Sequence, residues 1–470
     1  MTRIALPTGD LRADAAALLD AAGAGIPDYA AGSRALRFPL ADGGVARVFR
    51  EKDIPVQVAL GNYDLGICGL TWVEELTQRF PGHDVVRLRD LGFGATSLWL
   101  AAAGETCDPS LRIVSEYGNI AVAVARRMRL PRYRVFPVLG AAHAYPPEDA
   151  DVVLVAAGDE AEVEAHGLRP LWRVLDSSAW LIGNRRSLAA KDLSGVLARL
   201  LAGAVPLAMR PQAGHDGAPA LSVPPSLPLR PAAARPRSVL RLALPDGHQQ
   251  PDAIAVLEAA GVRVRGYDEG NIVRRPQTDV DGVEVKVIRP QDMTQQVALG
   301  QFDLAITGRD WVFDHLVRFP SSPVQQVIDL GRCRYGLAAI VKDVRADTVA
   351  GAVREWRTRS AASPIRVASE YANIADHFAR ERHLGRYSVI PIAGASEGFV
   401  PDDAEILIEG IDTGSSVRAN RLTVLERFFE STNCVIANKQ RPTGALRPVF
   451  DALVERLGAG ALAPAAARGA

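Results

Sequence analysis

Short apolar runs alternate with amphipathic stretches along most of the chain. Ile4-Ala-Leu6, Ala46–Phe49, Leu65-Gly-Ile67, Val85–Leu88, Ser97–Leu100, Arg112–Val114, Arg134–Pro137 and Val152–Val155 have the length and the β-branched and aromatic content of strands. Asp10–Ala22, Asp53–Leu60, Trp72–Phe80 and Ala121–Met128 carry a helical period between them. This alternation predicts an α/β protein with mostly parallel sheets. Such sheets take ligands at the carboxyl ends of their strands. Several small-residue turns fall there: Leu-Pro-x-Gly at Leu6–Gly9 and Leu244–Gly247, Gly66-Ile-Cys-Gly69, Ala305-Ile-Thr-Gly308, and Ser-Glu-Tyr at 115–117 and 369–371.

The pattern occurs twice. Arg3-Ile-Ala-Leu-Pro-Thr-Gly9 returns as Arg241-Leu-Ala-Leu-Pro-Asp-Gly247, and Val58–Ile67 returns as Val297–Ile306. Trp72 matches Trp311, Arg79-Phe-Pro81 matches Arg318-Phe-Pro320, Asp90-Leu-Gly92 matches Asp329-Leu-Gly331, and Ser115–Ala121 matches Ser369–Ala375. The period is too long for a solenoid and implies tandem duplication of a whole domain. The expected division is a first unit over 1–205, a Pro/Ala-rich, semi-rigid linker over 206–237, a second unit over 238–445, and a helix and tail over 446–470.

The stretch most suggestive of chemistry is Ala404–Val417. The apolar run Ile406-Leu-Ile408 is followed by Glu409 and Asp412, then by Thr413-Gly-Ser-Ser416, with a helical pattern expected through Arg421, Leu422, Leu425 and Phe428. A strand, a small polar turn and a helix start can hold a phosphate on backbone N–H groups, with hydroxyls as further donors. The two acids suit the hydroxyls of a ribose, or a magnesium ion beside a pyrophosphate. Together they read as a ribose 5-phosphate site; the other reading is a strand–turn–helix with a good N-cap.

The 470 residues balance 54 Lys and Arg against 54 Asp and Glu, so charge points to no nucleic-acid or membrane-surface partner. No apolar run reaches the ~20 residues that span a bilayer. The N-terminus enters a strand with no signal-peptide pattern, which makes a cytoplasmic location the expectation. Cys68, Cys107, Cys333 and Cys434 are isolated, without metal-ligand spacing, and read as single buried thiols.

Taken together, Asp53-Ile-Pro, Gly61–Gly69, Asp90–Gly94, Val367–Ile374, Gly394-Ala-Ser-Glu397, the Thr413-Gly-Ser-Ser loop and Ser431–Asn438 resemble the short-form ATP phosphoribosyltransferases of histidine biosynthesis. The resemblance covers both copies except the linker and tail. It implies two tandem bilobal α/β units like the type II periplasmic-binding-protein fold, each with two lobes around a cleft. It also implies transfer of the phosphoribosyl group of phosphoribosyl pyrophosphate (PRPP) to N1 of ATP, with Mg2+ carried by PRPP near Glu409 and Asp412. The partners implied are ATP and PRPP, with self-association or a regulatory subunit. With only a short tail after Gly444, no appended regulatory domain is expected.

Carried over residue by residue, the resemblance puts Glu409 and Asp412 at the ribose, Thr413, Gly414, Ser415 and Ser416 at the 5-phosphate, and Arg289 at the pyrophosphate. Arg334, Gly308, Asp310, Glu370 and Tyr371 fall near the nucleotide. Taken singly, each arginine also reads as a solvated surface charge. The first copy keeps Arg34, Arg37, Arg50 and Lys52, and Arg50 is its candidate donor to a shared site.

Two departures stand out. The family's Leu-Pro-Lys-Gly-Arg has become Leu-Pro-Thr-Gly-Asp10 in one copy and Leu-Pro-Asp-Gly-His248 in the other. Gapless alignment from Ser115-Glu-Tyr to Asn184 sets Val155 against Glu409, Gly158 against Asp412 and Asp159-Glu-Ala-Glu162 against Thr413–Ser416. The expectation is one degenerate unit and one that keeps most of a site. An active transferase, a non-catalytic regulatory protein and a ligand-binding module all remain open.

Overall fold

The computed structural model describes residues 1–23, 26, 29, 35–40, 43–203, 221–231, 237–359, 363–394 and 396–462. Its compact units are Met1–Val138 with Tyr145–Ala233 and Ala393–Gly398, and Leu139–Ala144 with Ala234–Ile392 and Phe399–Ala470.

Among the described residues each unit has two large sheets and a two-stranded one. In the first unit one sheet runs Arg37–Pro39, Val45–Phe49, Arg3–Pro7, Leu65–Gly69, Ala179–Asn184, Val85–Asp90. The other runs Arg169–Ser177, Thr96–Ala102, Val152–Ala157, Leu111–Ser115, Tyr133–Pro137. The second unit repeats this with Val283–Ile288, Leu240–Pro245, Leu304–Gly308, Asn433–Asn438, Val324–Asp329, and with Tyr387–Pro391, Ile365–Ser369, Ile406–Ile411, Tyr335–Val341, Thr423–Ser431. The chain leaves the first sheet of each unit after the Asp-Leu-Gly motif and returns at the last long strand. Each unit is therefore bilobal, with two crossovers.

The sheets are mixed, not mostly parallel. The returning strand Asn433–Asn438 inserts antiparallel between Leu304–Gly308 and Val324–Asp329, and Ile406–Ile411 is parallel to Ile365–Ser369 but antiparallel to Tyr335–Val341. A strand that crosses between lobes and comes straight back has no helix to reverse it, so antiparallel pairing follows.

Each lobe has its own core. In the second unit Leu242, Leu244, Leu304, Ile306 and Val435 pack under the helices Gln250–Ala259 and Leu446–Leu462, while Ala339, Val367, Ile406 and Ile408 pack under Val349–Arg359 and Ala372–Glu381. Phe450, Leu453 and Leu457 are buried, so the helix expected as an appendage belongs to the second unit's core. The segment expected as a linker also differs where it is described. Leu221 is buried, with Val223, Leu227 and Leu229 against the second-lobe core of the first unit. The Leu221 carbonyl accepts from Arg127 Nη1 at 2.8 Å. Apolar side chains among its prolines dock it. The rest of that segment, 206–220 and 232–236, the tail from 463, Arg34 and Ala395 lie outside the described residues.

Gly460 faces the helix Gln250–Ala259 so closely that a Cβ would lie 2.7 Å from the Val256 carbonyl oxygen and 2.9 Å from the Ala260 nitrogen. Backbone cannot rotate away, so Gly460→Ala should destabilise the second unit by about 1–3 kcal/mol. Calorimetric unfolding checks this; an unchanged Tm refutes the packing.

Candidate functional site

The Ile406–Ile411 strand is the middle of its sheet, so its carboxyl end is flanked by neighbours on both sides. Glu409 stands opposite Ala338 and is half-buried, and the Gly410 N–H lies 3.1 Å from its Oε1. The Tyr335 ring lies against Gly410, where a Cβ would come within 3.0 Å of it. Beyond Ile411 the chain surfaces at Asp412 and Thr413 and turns at Gly414, whose φ of +70° suits a glycine. Thr413 Oγ1 donates to Ser415 Oγ at 3.2 Å, and Arg418 Nη1 donates to the Thr413 carbonyl at 3.0 Å.

The helix that follows is only Ser415–Ala419. Thr423–Ser431, expected to continue it, is an edge strand antiparallel to Tyr335–Val341, with register shifts that allow the apparent helical spacing. Its Thr, Val and Phe residues favour the pleated surface. The correction matters because this strand forms a wall. A cleft of about 550 Å³ is lined by Tyr335, Ile411, Asp412, Arg427 and Phe429, with Arg334 and Glu430 at its rim. Arg427 Nη1 reaches the Ile411 carbonyl at 3.4 Å. Sequence reasoning missed Arg427 because the spacing of Val424, Leu425, Phe428 and Phe429 fits a helix and no alternation along the segment signals a strand.

Of the expected nucleotide residues, only Arg334 lines this cleft, 3.9 Å from Glu430 and largely exposed. Asp310 lies beneath the surface and is fully buried. Tyr335 Oη donates to its Oδ2 at 2.7 Å and Ser431 Oγ to its Oδ1 at 2.8 Å. Gly308 is buried, Glu370 half-buried, and Tyr371 buried with its ring stacked on Trp311 at 4.3 Å. Burial, then Asp310, holds the Tyr335 and Tyr371 phenols well above their ordinary value. Arg289 is ion-paired, its Nη1 3.2 Å from Asp246 Oδ2.

In the first unit the matching positions are filled from within. Val155 replaces Glu409, and Trp99 stands opposite it where the second unit has Ala338. At the loop, Asp159 Oδ1 accepts from the Glu162 N–H at 2.9 Å, while the Gly158 N–H donates to Glu162 Oε2 at 2.7 Å. A carboxylate of the chain thus takes the N–H that a phosphate would need. Glu51 does the same elsewhere, bonded by the Gly69 N–H; burial pushes its carboxyl up to about 7, against the lowering by that bond and with a smaller rise from Asp10. Arg50 precedes the turn that carries Glu51.

Burial holds Cys68 and Cys434 well above the ordinary value, and burial with Asp252 pushes Cys333 up to about 12. Among the described residues no group of three or more His, Cys, Asp or Glu side chains could hold a metal ion, and no helix is long and apolar enough to cross a membrane.

The ATP phosphoribosyltransferase family profile matches residues 50–202 and again 289–459. The chain belongs to this family. Its relatives include an ATP phosphoribosyltransferase of Chlorobium chlorochromatii, 31% identical over 208 residues, and one of Saccharolobus solfataricus, 29% identical over 203 residues. Each match covers 43% of this chain and 64% of the relative, so the chain spans just under two thirds of these relatives' length. Among solved structures, the ATP phosphoribosyl transferase (HisG:HisZ) complex from Thermotoga maritima has a TM-score of 0.38 and 17% identity, covering 43% of this chain and 98% of that one. Membership of the ATP phosphoribosyltransferase family accounts for both copies, since the profile matches each.

Glu51 gives a pH test of the first unit. Its folded pKa of about 7 lies above the model-peptide range, so the folded state binds the extra proton. The cost of ionising it is absent below about pH 4, grows through the interval up to 7, and is complete above it. Glu51→Gln should therefore stabilise the protein at pH 8, by about 3 kcal/mol at most, and leave it unchanged near pH 4. Thermal unfolding at the two pH values checks this; equal shifts would sink it.

Proposed function

We propose that the chain is an ATP phosphoribosyltransferase that joins the phosphoribosyl group of PRPP to N1 of ATP, the first step of histidine biosynthesis, and that its phosphoribosyl site lies in the second unit. One contrast carries the reading. The second unit keeps Glu409, the exposed Asp412, which lines the cleft, and a hydroxyl-lined glycine turn after it, while the first has Val155, Gly158 and a turn closed by Glu162 at the same positions. Glu409 and Asp412 would hold the ribose hydroxyls, and Thr413 to Ser416 the 5-phosphate. Arg427 and Arg334 would offset charge along the cleft. The reaction is attack by a ring nitrogen on an anomeric carbon with pyrophosphate leaving, so positioning and charge stabilisation suffice.

Magnesium fits as an ion brought by the PRPP diphosphate, with the exposed Asp412 carboxylate as one oxygen donor; it would supply charge neutralisation. ATP and PRPP as substrates, a cytoplasmic location, and self-association or a regulatory subunit belong to the same proposal. A non-catalytic, ligand-binding paralogue is the second reading, favoured by Thr8 and Asp246 standing where the family carries lysine.

A coupled assay with ATP and PRPP separates the two. Calorimetry should show one magnesium-dependent PRPP site per chain; two equivalent sites, or binding indifferent to chelator, would refute the assignment. Glu409→Gln and Asp412→Asn should each lower kcat/KM about 10- to 100-fold, the loss of one charged hydrogen bond. Full activity in Glu409→Gln would remove the site.

A further inference from the structure

The acid at Asp246 is the strangest substitution in the second unit. Its surroundings follow from sheet register. Leu240–Pro245 and Val283–Ile288 are parallel neighbours with Pro245 opposite Ile288, so the next residues, Asp246 and Arg289, leave the sheet side by side. Arg274 arrives from the strand Asn271–Thr278. Arg274 Nη1 lies 2.8 Å from Asp246 Oδ2 and Arg289 Nη1 lies 3.2 Å from the same oxygen. Asp246 is 3% exposed, the Arg274 and Arg289 side chains 24% and 42%. Two guanidinium groups thus share one oxygen of a sunken carboxylate, the Arg289 side chain lying against Gly140, while Oδ1 is buried with no partner among the described residues.

Arginine–carboxylate pairs are frequently bidentate, one guanidinium engaging both oxygens. Here two cations meet one anion, and a net positive charge is left at the carboxyl end of the sheet. Without the carboxylate, the guanidinium groups would repel each other and splay. In the first unit the register is the same, with Pro7 opposite Phe49, and Thr8 and Arg50 follow. Thr8 has no charge with which to hold an arginine. The acid occurs in the unit that keeps the Thr413-Gly-Ser-Ser loop and not in the unit whose loop is self-filled.

We infer that Asp246 is a positioning residue: it holds Arg274 and Arg289 together as one cationic pair for the diphosphate end of the substrate, in place of the charge lost from the first-strand motif. The inference rests on the phosphoribosyl reading of the second unit. It assigns Asp246 an organising part in anion binding, although its own charge has the wrong sign for the ligand.

The test compares two ligands on the full chain with magnesium present. Ribose 5-phosphate probes the Thr413–Ser416 turn with Glu409 and Asp412; PRPP adds the diphosphate. Wild type should bind PRPP more tightly. Asp246→Asn should weaken PRPP about tenfold or more while leaving ribose 5-phosphate affinity unchanged, and Asp246→Glu should recover most of the loss. A merely structural role would lower Tm without separating the ligands. If Asp246→Asn does not fold, Arg274→Gln, which leaves Asp246 paired with Arg289, should show the same split. Unchanged or tighter PRPP binding in either folded variant overturns the inference, the latter marking Asp246 as a competing anion. A wild type that binds ribose 5-phosphate but PRPP no better overturns it too and leaves the loop assignment standing. Binding of neither ligand removes both.

Discussion

A fully buried carboxylate held by hydroxyl groups sits where the lobes of the second unit meet. Asp310 lies in the first turn of the helix Arg309–Arg318 in one lobe, Tyr335 opens the first strand of the other, and Ser431 closes the last strand before the chain returns. The two crossovers are themselves paired, the Leu330 N–H to the Asn433 carbonyl and the Asn433 N–H to the Arg332 carbonyl, both at 2.9 Å. A polar group out of water demands hydrogen bonds in good geometry. Tyr335 and Ser431 must therefore stay where they are. Tyr335 in turn lies against Gly410, one strand position from Glu409, and borders the cleft with Arg427. The site's walls are set from below.

The two units treat the matching turns differently. Backbone N–H groups at a turn are costly to leave unpaired. The first unit satisfies them with its own carboxylates, Glu162 at Gly158 and Glu51 at Gly69. The second unit keeps hydroxyls at its turn, side chains small enough to leave room.

Much was legible in the one-dimensional pattern. The duplication, the α/β class, the strand positions and the contrast between Glu409 and Val155 follow from residue identity alone, because period-2 and period-3.6 patterns and turn residues are local. Thr423–Ser431 was not legible. Its aromatic spacing fits a helix, and only the hydrogen bonds offered by Tyr335–Val341 make it a strand. Arg427 went with it.

The same division holds for charge. The sequence by itself determined that Asp246 and Arg289 exist, that the first-strand motif had lost its basic residues, and that Asp310 follows Gly308. It said nothing about which charges meet. Register places Asp246 beside Arg289, a strand far along the chain brings Arg274 to the same oxygen, and burial removes Asp310 from any ligand while leaving Asp412 exposed. Those are long-range facts: electrostatic partners and desolvation depend on distances in space, and spacing along the chain does not carry them.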